Sequence, residues 1–177
     1  MRPPEIIETT RLRLRPPTME DAEAIFTRYA QDEAVTKYMV WRPHRSIEET
    51  HDYLRSCEEK WRNGTGFPWA VTLKDGQELI GMVEVRVDGF MANIGYVLAR
   101  ACWGRGYMPE AVKSIVDWGF AQAGLYRVWA ICDVENSASA RVMEKSGMQR
   151  EGLLRRRSLH PSLSDEPRDA YIYAIVR

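Results

Sequence analysis

The distribution of apolar and polar residues along the chain predicts one strand and two helices in its first part. Leucine and arginine alternate within Thr10–Arg15, which is typical of a half-buried strand. An apolar stripe at helical spacing from Ala22 to Tyr29 indicates the first helix. Ser46 and Glu49 form a capping-box pattern, which predicts a second helix that runs to about Arg62.

Two turn signals in the middle of the chain predict three consecutive antiparallel strands. Asp75-Gly76 lies between the segments 67–73 and 78–87, and Asp88-Gly89 leads into the segment 91–98. Asp-Gly pairs favour the tight turns of two-residue hairpins, because glycine accepts a positive φ without steric cost.

The last part of the chain alternates helical and strand patterns. An amphipathic helix through Val112–Phe120 ends near Gly124, the candidate residue just beyond its C-terminus. A second helix, 136–146, stops at Gly147. The remaining predicted strands are 126–132, 148–157 and 170–176. We therefore expect an α/β (α+β) fold with a mixed sheet of about six to seven strands and helices on both faces. Its strands 91–98 and 126–132 should run parallel.

Composition indicates a single domain over residues 1–177 with no general attraction for polyanions. Lys+Arg and Asp+Glu both total 25, so the formal net charge is zero, and we expect neither a nucleic-acid nor a membrane partner. The apolar runs are too short for a membrane span. Three scattered cysteines without a CxxC pattern suggest reduced thiols and a cytoplasmic location. The sequence leaves monomer and homodimer open.

The stretch from Trp103 to Ala111 contains the most informative chemistry. Two glycines two residues apart, Gly104 and Gly106, precede a predicted helix with Pro109 in its first turn. Main-chain N–H groups at a helix N-terminus attract an anion, most plausibly a phosphate or pyrophosphate. The stretch matches neither the P-loop nor the dinucleotide-binding pattern. A plain strand-to-helix connection remains the alternative.

Two motifs together resemble a known family. Gly104-x-Gly106-Tyr107 followed by Glu110-Ala111 resembles the acetyl-CoA loop of the GNAT superfamily of N-acetyltransferases, and the run 135–148 resembles that family's next helix. Its form is typical of the Rim-type branch, which acetylates N-termini of ribosomal proteins. The resemblance implies a strongly twisted sheet splayed at the acetyl-CoA site. It also implies acetyl transfer to a primary amine, on a protein N-terminus or a small molecule, by direct attack in a ternary complex.

The resemblance also assigns residues to the cosubstrate acetyl-CoA. The pantetheine arm would bind main-chain groups at the end of the strand 91–98, and the pyrophosphate would bind the N–H groups of the glycine loop. Arg105 would add charge, and Asn136 would hold the arm besides capping its helix. The assigned residues are Val97, Leu98, Ala99, Trp103, Gly104, Arg105, Gly106, Tyr107, Met108, Asn136 and Ser139.

Acetyl transfer requires a neutral amine and a proton for the departing thiolate. Many family members supply that proton from a tyrosine where this chain has Met143, so Ser139, about one turn earlier, is the candidate acid. The family's usual base position holds Asn93, and Glu84 is the nearest replacement. Alternation places Glu84 on the face of the strand opposite Val83, pointing either into a cleft or into solvent.

The acceptor side carries weaker signals. Candidate substrate-binding aromatics are Tyr38, Trp41 and Trp69, with core packing as the alternative. Arg155–Arg157 would suit an acidic partner or simply solubility. Three isolated histidines do not form a metal-binding pattern, so no metal is expected.

Two further classes of function remain as alternatives to an acetyltransferase. The departures at Met143 and Asn93 motivate a non-catalytic CoA-binding regulatory module. The arginine run motivates an RNA- or ribosome-binding protein, which zero net charge and the lack of an RNA-binding motif disfavour.

Overall fold

A computed structural model describes all of residues 1–177 and shows one mixed sheet of eight strands with helices on both faces. The strand order across the sheet is β1-β2-β3-β4-β5-β6-β8-β7. The strands are β1 (Ile7–Glu8), β2 (Leu12–Arg15), β3 (Phe67–Leu73), β4 (Leu79–Asp88), β5 (Met91–Leu98), β6 (Arg127–Asp133), β7 (Gln149–Ser158) and β8 (Arg168–Val176). The α-helices are α1 (Ala22–Ile25), α2 (Glu33–Thr36), α3 (Ile47–Asn63), α4 (Tyr107–Ala121) and α5 (Ser137–Lys145).

The predicted fold class is confirmed, and the strand count is corrected. Strands β3, β4 and β5 form the expected antiparallel series, and β5 and β6 are parallel. The sheet has eight strands rather than six or seven because β1 pairs with β2 through Ile7 and Leu14. A strand of two residues is too short to show a period in the sequence.

Strands β5 and β6 separate after a short paired stretch. Their parallel register runs only from Met91 opposite Arg127 to Asn93 opposite Trp129. Beyond that point β5 continues along β4 as far as Leu98, while β6 continues along β8 as far as Asp133. The second half of β5 therefore has a partner on one edge only, and a gap opens in the middle of the sheet.

The two faces of the sheet carry separate cores. One cluster of 24 buried residues includes Val83, Val85 and the buried face of α4. The other, of 12 buried residues, includes Met82, the buried residues of α1, and Leu54 and Cys57 of α3. Neighbouring residues of β4 thus belong to opposite faces, as the alternation predicted. Helices α4 and α5 cover one face, and α1 to α3 cover the other.

Two local predictions are corrected. The predicted helix 22–29 is a short α1 followed directly by a π-helical turn, Phe26–Ala30, rather than one regular α-helix. Helix α4 ends at Ala121 with Gln122 in extended conformation, and Gly124, with φ of +91°, lies further along the loop. None of the helices has the length and apolar character needed to cross a membrane.

Candidate active site

A cavity of about 1170 Å³ is lined by residues from both faces of the sheet and includes the gap between β5 and β6. We call the lining residues of segments 103–109 and 136–145 the loop half. We call the lining residues of 38–44 and 157–161, together with Tyr53, Lys60, Glu84 and Arg86, the aromatic half. The gap connects the two halves, so a ligand bound on one face of the sheet can present a group to the other.

The glycine loop presents free main-chain donors to the loop half. Gly104 and Gly106 have φ of +75° and +77°, in the left-handed region that favours glycine. No hydrogen bond within the protein uses the N–H groups from Gly104 to Met108, and Pro109 has none to offer. These unpaired N–H groups lie at the N-terminus of a 15-residue helix, an arrangement that attracts anions.

An ion pair from the N-terminal part of the chain holds this loop. Glu110, in the first turn of α4, accepts hydrogen bonds from the Thr9 hydroxyl at 2.6 Å, the Arg11 N–H at 2.9 Å and Arg11 Nε at 2.7 Å. Arg11 Nη1 donates to the Arg105 carbonyl at 3.0 Å, and the guanidinium lies 4.6 Å from the Tyr107 ring centroid. Sequence reasoning missed this contact, because residues about 100 positions apart meet only in the folded chain.

The charge of Glu110 is stabilised by these contacts. Burial favours its neutral form, but the hydrogen bonds from Thr9 and Arg11 and the charge of Arg11 outweigh it, so the pKa of Glu110 is lowered. The charged ion pair is thus the state that fixes the loop at neutral pH.

Of the main-chain groups predicted to bind an arm along β5, only those of Leu98 face the gap. The Ala99 N–H donates to the Ile80 carbonyl at 2.8 Å, so it points towards β4. Successive residues of a strand direct their main-chain N–H and C=O groups to opposite edges. The main-chain groups of Val97 therefore also point towards β4, and those of Tyr96 point towards the gap. Trp103 Nε1 donates to the Leu98 carbonyl at 2.8 Å. The pair that faces the gap is therefore Tyr96 and Leu98.

Ser139 lies at the junction of the two halves and is bonded to a tyrosine that the sequence did not single out. Asn136 caps α5 through a hydrogen bond from the Ser139 N–H to its Oδ1, at 3.1 Å. The Tyr96 hydroxyl lies 2.8 Å from Ser139 Oγ and donates to the Ser139 carbonyl at 3.1 Å. Burial raises the pKa of Tyr96, so this phenol stays protonated. Met143 is fully buried in the core.

Glu84 points into the cavity rather than into solvent, and its side chain is only 12% exposed. Its carboxylate accepts from Lys60 Nζ at 3.1 Å and from Arg86 Nε at 2.9 Å. Arg86 also donates to Asn93 Oδ1 at 3.2 Å. Glu84 is therefore the anion of a charged cluster that spans α3, β4 and β5.

The remaining predicted site residues divide between cavity and core. Tyr38 and Trp41 line the aromatic half. Trp69 does not: it is fully buried, and its indole N–H lies 3.1 Å from the Glu5 carbonyl. The prediction that Trp69 binds the substrate is therefore wrong, because its side chain packs in the core against Trp61. Arg105 is exposed and does not line the cavity, and its predicted role near the phosphates stays a prediction.

Comparison with known proteins identifies the class of fold and site. A family model described as an acetyltransferase (GNAT) domain matches residues 11–149, and the chain belongs to this family. The protein is accordingly an acyltransferase. No group of three or more His, Cys, Asp or Glu side chains is placed to hold a metal ion.

Individual relatives cover nearly the whole chain. The N-acetyltransferase YoaA of Bacillus subtilis (strain 168) is 34% identical over 175 residues, which span 97% of each chain. A GNAT-family acetyltransferase from Bacillus anthracis is 29% identical with a TM-score of 0.83, over 97% of this chain and 98% of that one. RimJ of Mycobacterium smegmatis, solved in complex with CoA-disulfide, is 27% identical with a TM-score of 0.80, over 93% and 81% of the two chains. These likenesses support the Rim-type branch.

Proposed function

We propose that the protein transfers an acetyl group from acetyl-CoA to a primary amine by direct attack. The observation that carries the proposal is the row of free N–H groups from Gly104 to Met108 beside the gap in the sheet. This row fits a pyrophosphate, and the gap leads from it to the Ser139 hydroxyl. RimJ of Mycobacterium smegmatis, a structural relative, is bound to CoA-disulfide, which agrees with this choice of donor.

The donor is held mainly by main-chain groups in this proposal. The pyrophosphate accepts from the glycine loop, and the pantetheine arm bonds to Tyr96 and Leu98 along the free edge of β5. Arg141 and Lys145 line the loop half and supply the positive charge that had been predicted for Arg105. The arm then places the thioester at the gap, next to Ser139.

The chemical step needs one proton removed and one supplied. The neutral amine attacks the thioester carbonyl, a C–N bond forms, the C–S bond breaks, and the thiolate takes a proton from Ser139 Oγ. Tyr96 orients this hydroxyl, because its own hydroxyl bonds to both oxygens of Ser139. Glu84, the carboxylate at the aromatic half, receives the proton of the amine directly or through water. Ser139 regains a proton from solvent, while Glu84 releases the amine's proton to solvent.

The acceptor in this proposal is a primary amine that enters from the aromatic half. Tyr38 and Trp41 offer it apolar surface beside Glu84. A protein N-terminus, as in ribosomal-protein acetylation, and a small-molecule amine are both of this class.

Turnover of acetyl-CoA across a panel of amines and short peptides tests the proposal. We expect release of CoA with at least one primary amine, and a rise in melting temperature when acetyl-CoA is added. Absence of any shift with acetyl-CoA would overturn the donor assignment. Mass spectrometry of the acceptor identifies the acetylated nitrogen.

A non-catalytic CoA-binding module is the second candidate. It is favoured by the two departures from the family pattern, since Met143 is buried in the core and Asn93 is bonded to Arg86. Binding of acetyl-CoA without transfer to any member of the panel would establish this alternative. Transfer that depends on Ser139 would exclude it.

A further inference from the structure

The ionisable residues that line the cavity are predominantly cationic. Only two carboxylates line it, and both are held by positively charged side chains. The lining carboxylates are Glu84 and Asp133, and the lining cations are Lys60, Arg86, Arg141, Lys145 and Arg157. Arg141 and Lys145 belong to the loop half, where the proposed donor brings its own phosphates. The other three cations belong to the aromatic half, where the acceptor enters.

Neither carboxylate is free to bind a second ammonium group. Glu84 is shared between Lys60 and Arg86, so this cluster of three residues keeps a net charge of about +1. Asp133 is 1% exposed and accepts two hydrogen bonds from Arg168, at 2.7 and 3.2 Å. Its Oδ1 also accepts from the Glu135 N–H at 2.9 Å.

Arg157 adds an uncompensated charge to the aromatic half. It lies near the end of β7, is exposed, and its side chain forms no ion pair or hydrogen bond within the protein. The segment that follows it is held against the aromatic residues, because His160 is buried and its Nδ1 lies 3.4 Å from the Met39 carbonyl. Arg157 is thus tied to the same side of the cavity as Tyr38 and Trp41.

We propose that the acceptor of the transfer reaction carries an anionic group, a carboxylate or a phosphate, close to its primary amine. This inference rests on the proposed function and names its substrate class. The anion would lie between Arg157 and the cluster of Lys60, Arg86 and Glu84, while the amine points to the gap. Polyamines are poor substrates by the same reasoning, because a second ammonium would meet these cations and no free carboxylate.

Matched acceptors test the preference. The probes are the peptides Ala-Glu-Glu-Ala, Ala-Gln-Gln-Ala and Ala-Arg-Arg-Ala, each with a free N-terminus and an amidated C-terminus. The Glu and Gln peptides are isosteric and differ in charge alone, the Arg peptide is the cationic probe, and the N-terminal amine is the sole acceptor in all three. A comparison of phosphoethanolamine with ethanolamine tests the preference for a phosphate, and spermidine tests the expectation that polyamines are poor acceptors. We expect kcat/KM for the anionic member of each pair to exceed that of its neutral partner by about tenfold. Raising the ionic strength should reduce this preference.

Two variants connect the preference to the named residues. Lys60→Gln and Arg157→Gln should each lower the ratio of kcat/KM for the anionic over the neutral acceptor by about two- to fivefold. Arg62→Gln is the matched control, since Arg62 lies in the last turn of the same helix as Lys60 but is exposed, pairs with Glu58 and does not line the cavity. The control should leave the ratio unchanged.

The outcomes separate this inference from the proposed function. No turnover with any acceptor would overturn the acetyltransferase proposal itself. Turnover that prefers the neutral or cationic members of the pairs would overturn the anionic acceptor and leave the acetyltransferase standing. An anionic preference that survives unchanged in both Lys60→Gln and Arg157→Gln would overturn the assignment to these cations. If the anionic acceptor is preferred in the peptide pair alone, the anionic group is a carboxylate; if it is preferred in the phosphoethanolamine pair alone, the group is a phosphate.

Discussion

In the proposed function, the loop half and the aromatic half of the cavity bind their ligands by different means. The loop half uses main-chain N–H groups of one continuous stretch, Gly104 to Met108, and its geometry depends on two glycines. The aromatic half uses side chains that come from four separate parts of the chain: 38–44, α3, β4 and the end of β7. A ligand held by main-chain geometry leaves a motif in the sequence. A ligand held by side chains from separate parts of the chain leaves no such contiguous motif.

The largest effect is expected where the two halves meet. Ser139→Ala removes the hydroxyl proposed to protonate the departing thiolate, so kcat should fall by about 100-fold or more. KM for acetyl-CoA should change little, because the main-chain groups that bind it remain. Steady-state kinetics with a saturating acceptor measure both constants.

Ser137→Ala is the control for this prediction. Ser137 lies on the same helix, is exposed and does not line the cavity. Full activity in Ser139→Ala would remove the acid from the proposal. Equal losses in both variants would mean that the substitutions act through helix α5 as a whole.

A substitution within the glycine loop should affect the loop half alone. Gly106→Val places a β-branched residue at a φ of +77°, where it is strained, and should raise KM for acetyl-CoA by about 10- to 30-fold. The acceptor KM should not change, since no residue of the aromatic half is altered. Acetyl-CoA titration followed by melting temperature gives an independent measure of donor affinity.

Gly124→Val separates loss of the binding site from loss of stability. Gly124 has a φ of +91°, has open space where a Cβ would lie, and is remote from the cavity. It should lower the melting temperature as Gly106→Val does, while KM for acetyl-CoA stays at the wild-type value. Parallel increases in KM would mean that general destabilisation, not the loop, sets donor affinity.

The difference between the halves also explains what the sequence could predict of the fold. The hairpin strands and helices α3 to α5 were predicted nearly to their ends, because turn residues, caps and apolar periods are local signals. Strand β1 was missed because its two residues are held only by pairing with β2. The π-helical turn at Phe26–Ala30 was missed because Phe26 and Tyr29 also fit the apolar spacing of a regular α-helix.

The same argument holds for the candidate site. The glycine loop with free N–H groups could be predicted because its residues are contiguous. Val97 and Ala99 were assigned to the wrong edge, because the direction of their main-chain groups depends on the register with β4. Trp69 was assigned to the acceptor because its aromatic side chain has the same appearance in the sequence whether it is buried or exposed. The contact of Tyr96 with Ser139 required knowledge of where α5 packs.

A smaller loss of activity is expected from the hydroxyl of Tyr96. Tyr96→Phe keeps the ring in place and removes the group that bonds to Ser139 Oγ and to the Ser139 carbonyl. Because a neutral hydrogen bond contributes about 1 kcal/mol, kcat should fall by about five- to tenfold while both KM values stay within about twofold. Tyr126→Phe, an exposed tyrosine outside the cavity, is the control. A wild-type kcat in Tyr96→Phe would show that Ser139 needs no orienting partner.

The smallest expected effect comes from the ion pair that holds the glycine loop. Arg11→Met removes the partner of Glu110 and of the Arg105 carbonyl, so KM for acetyl-CoA should rise about threefold. Stability at pH 7 should fall by about 1 kcal/mol or less, because Arg11 is half exposed. The aromatic half is untouched, so the acceptor KM should not change.

The pH dependence of that stability identifies the ion pair as its source. The pKa of Glu110 is lowered in the folded protein, so its contribution is fully present above the unfolded value of about 4.3 and is lost as the pH falls through the folded value. The stability difference between wild type and Arg11→Met should therefore shrink from pH 7 to pH 3. Urea unfolding at both pH values measures it. A difference that stays constant would assign the effect of Arg11 to its packing on Tyr107 rather than to charge.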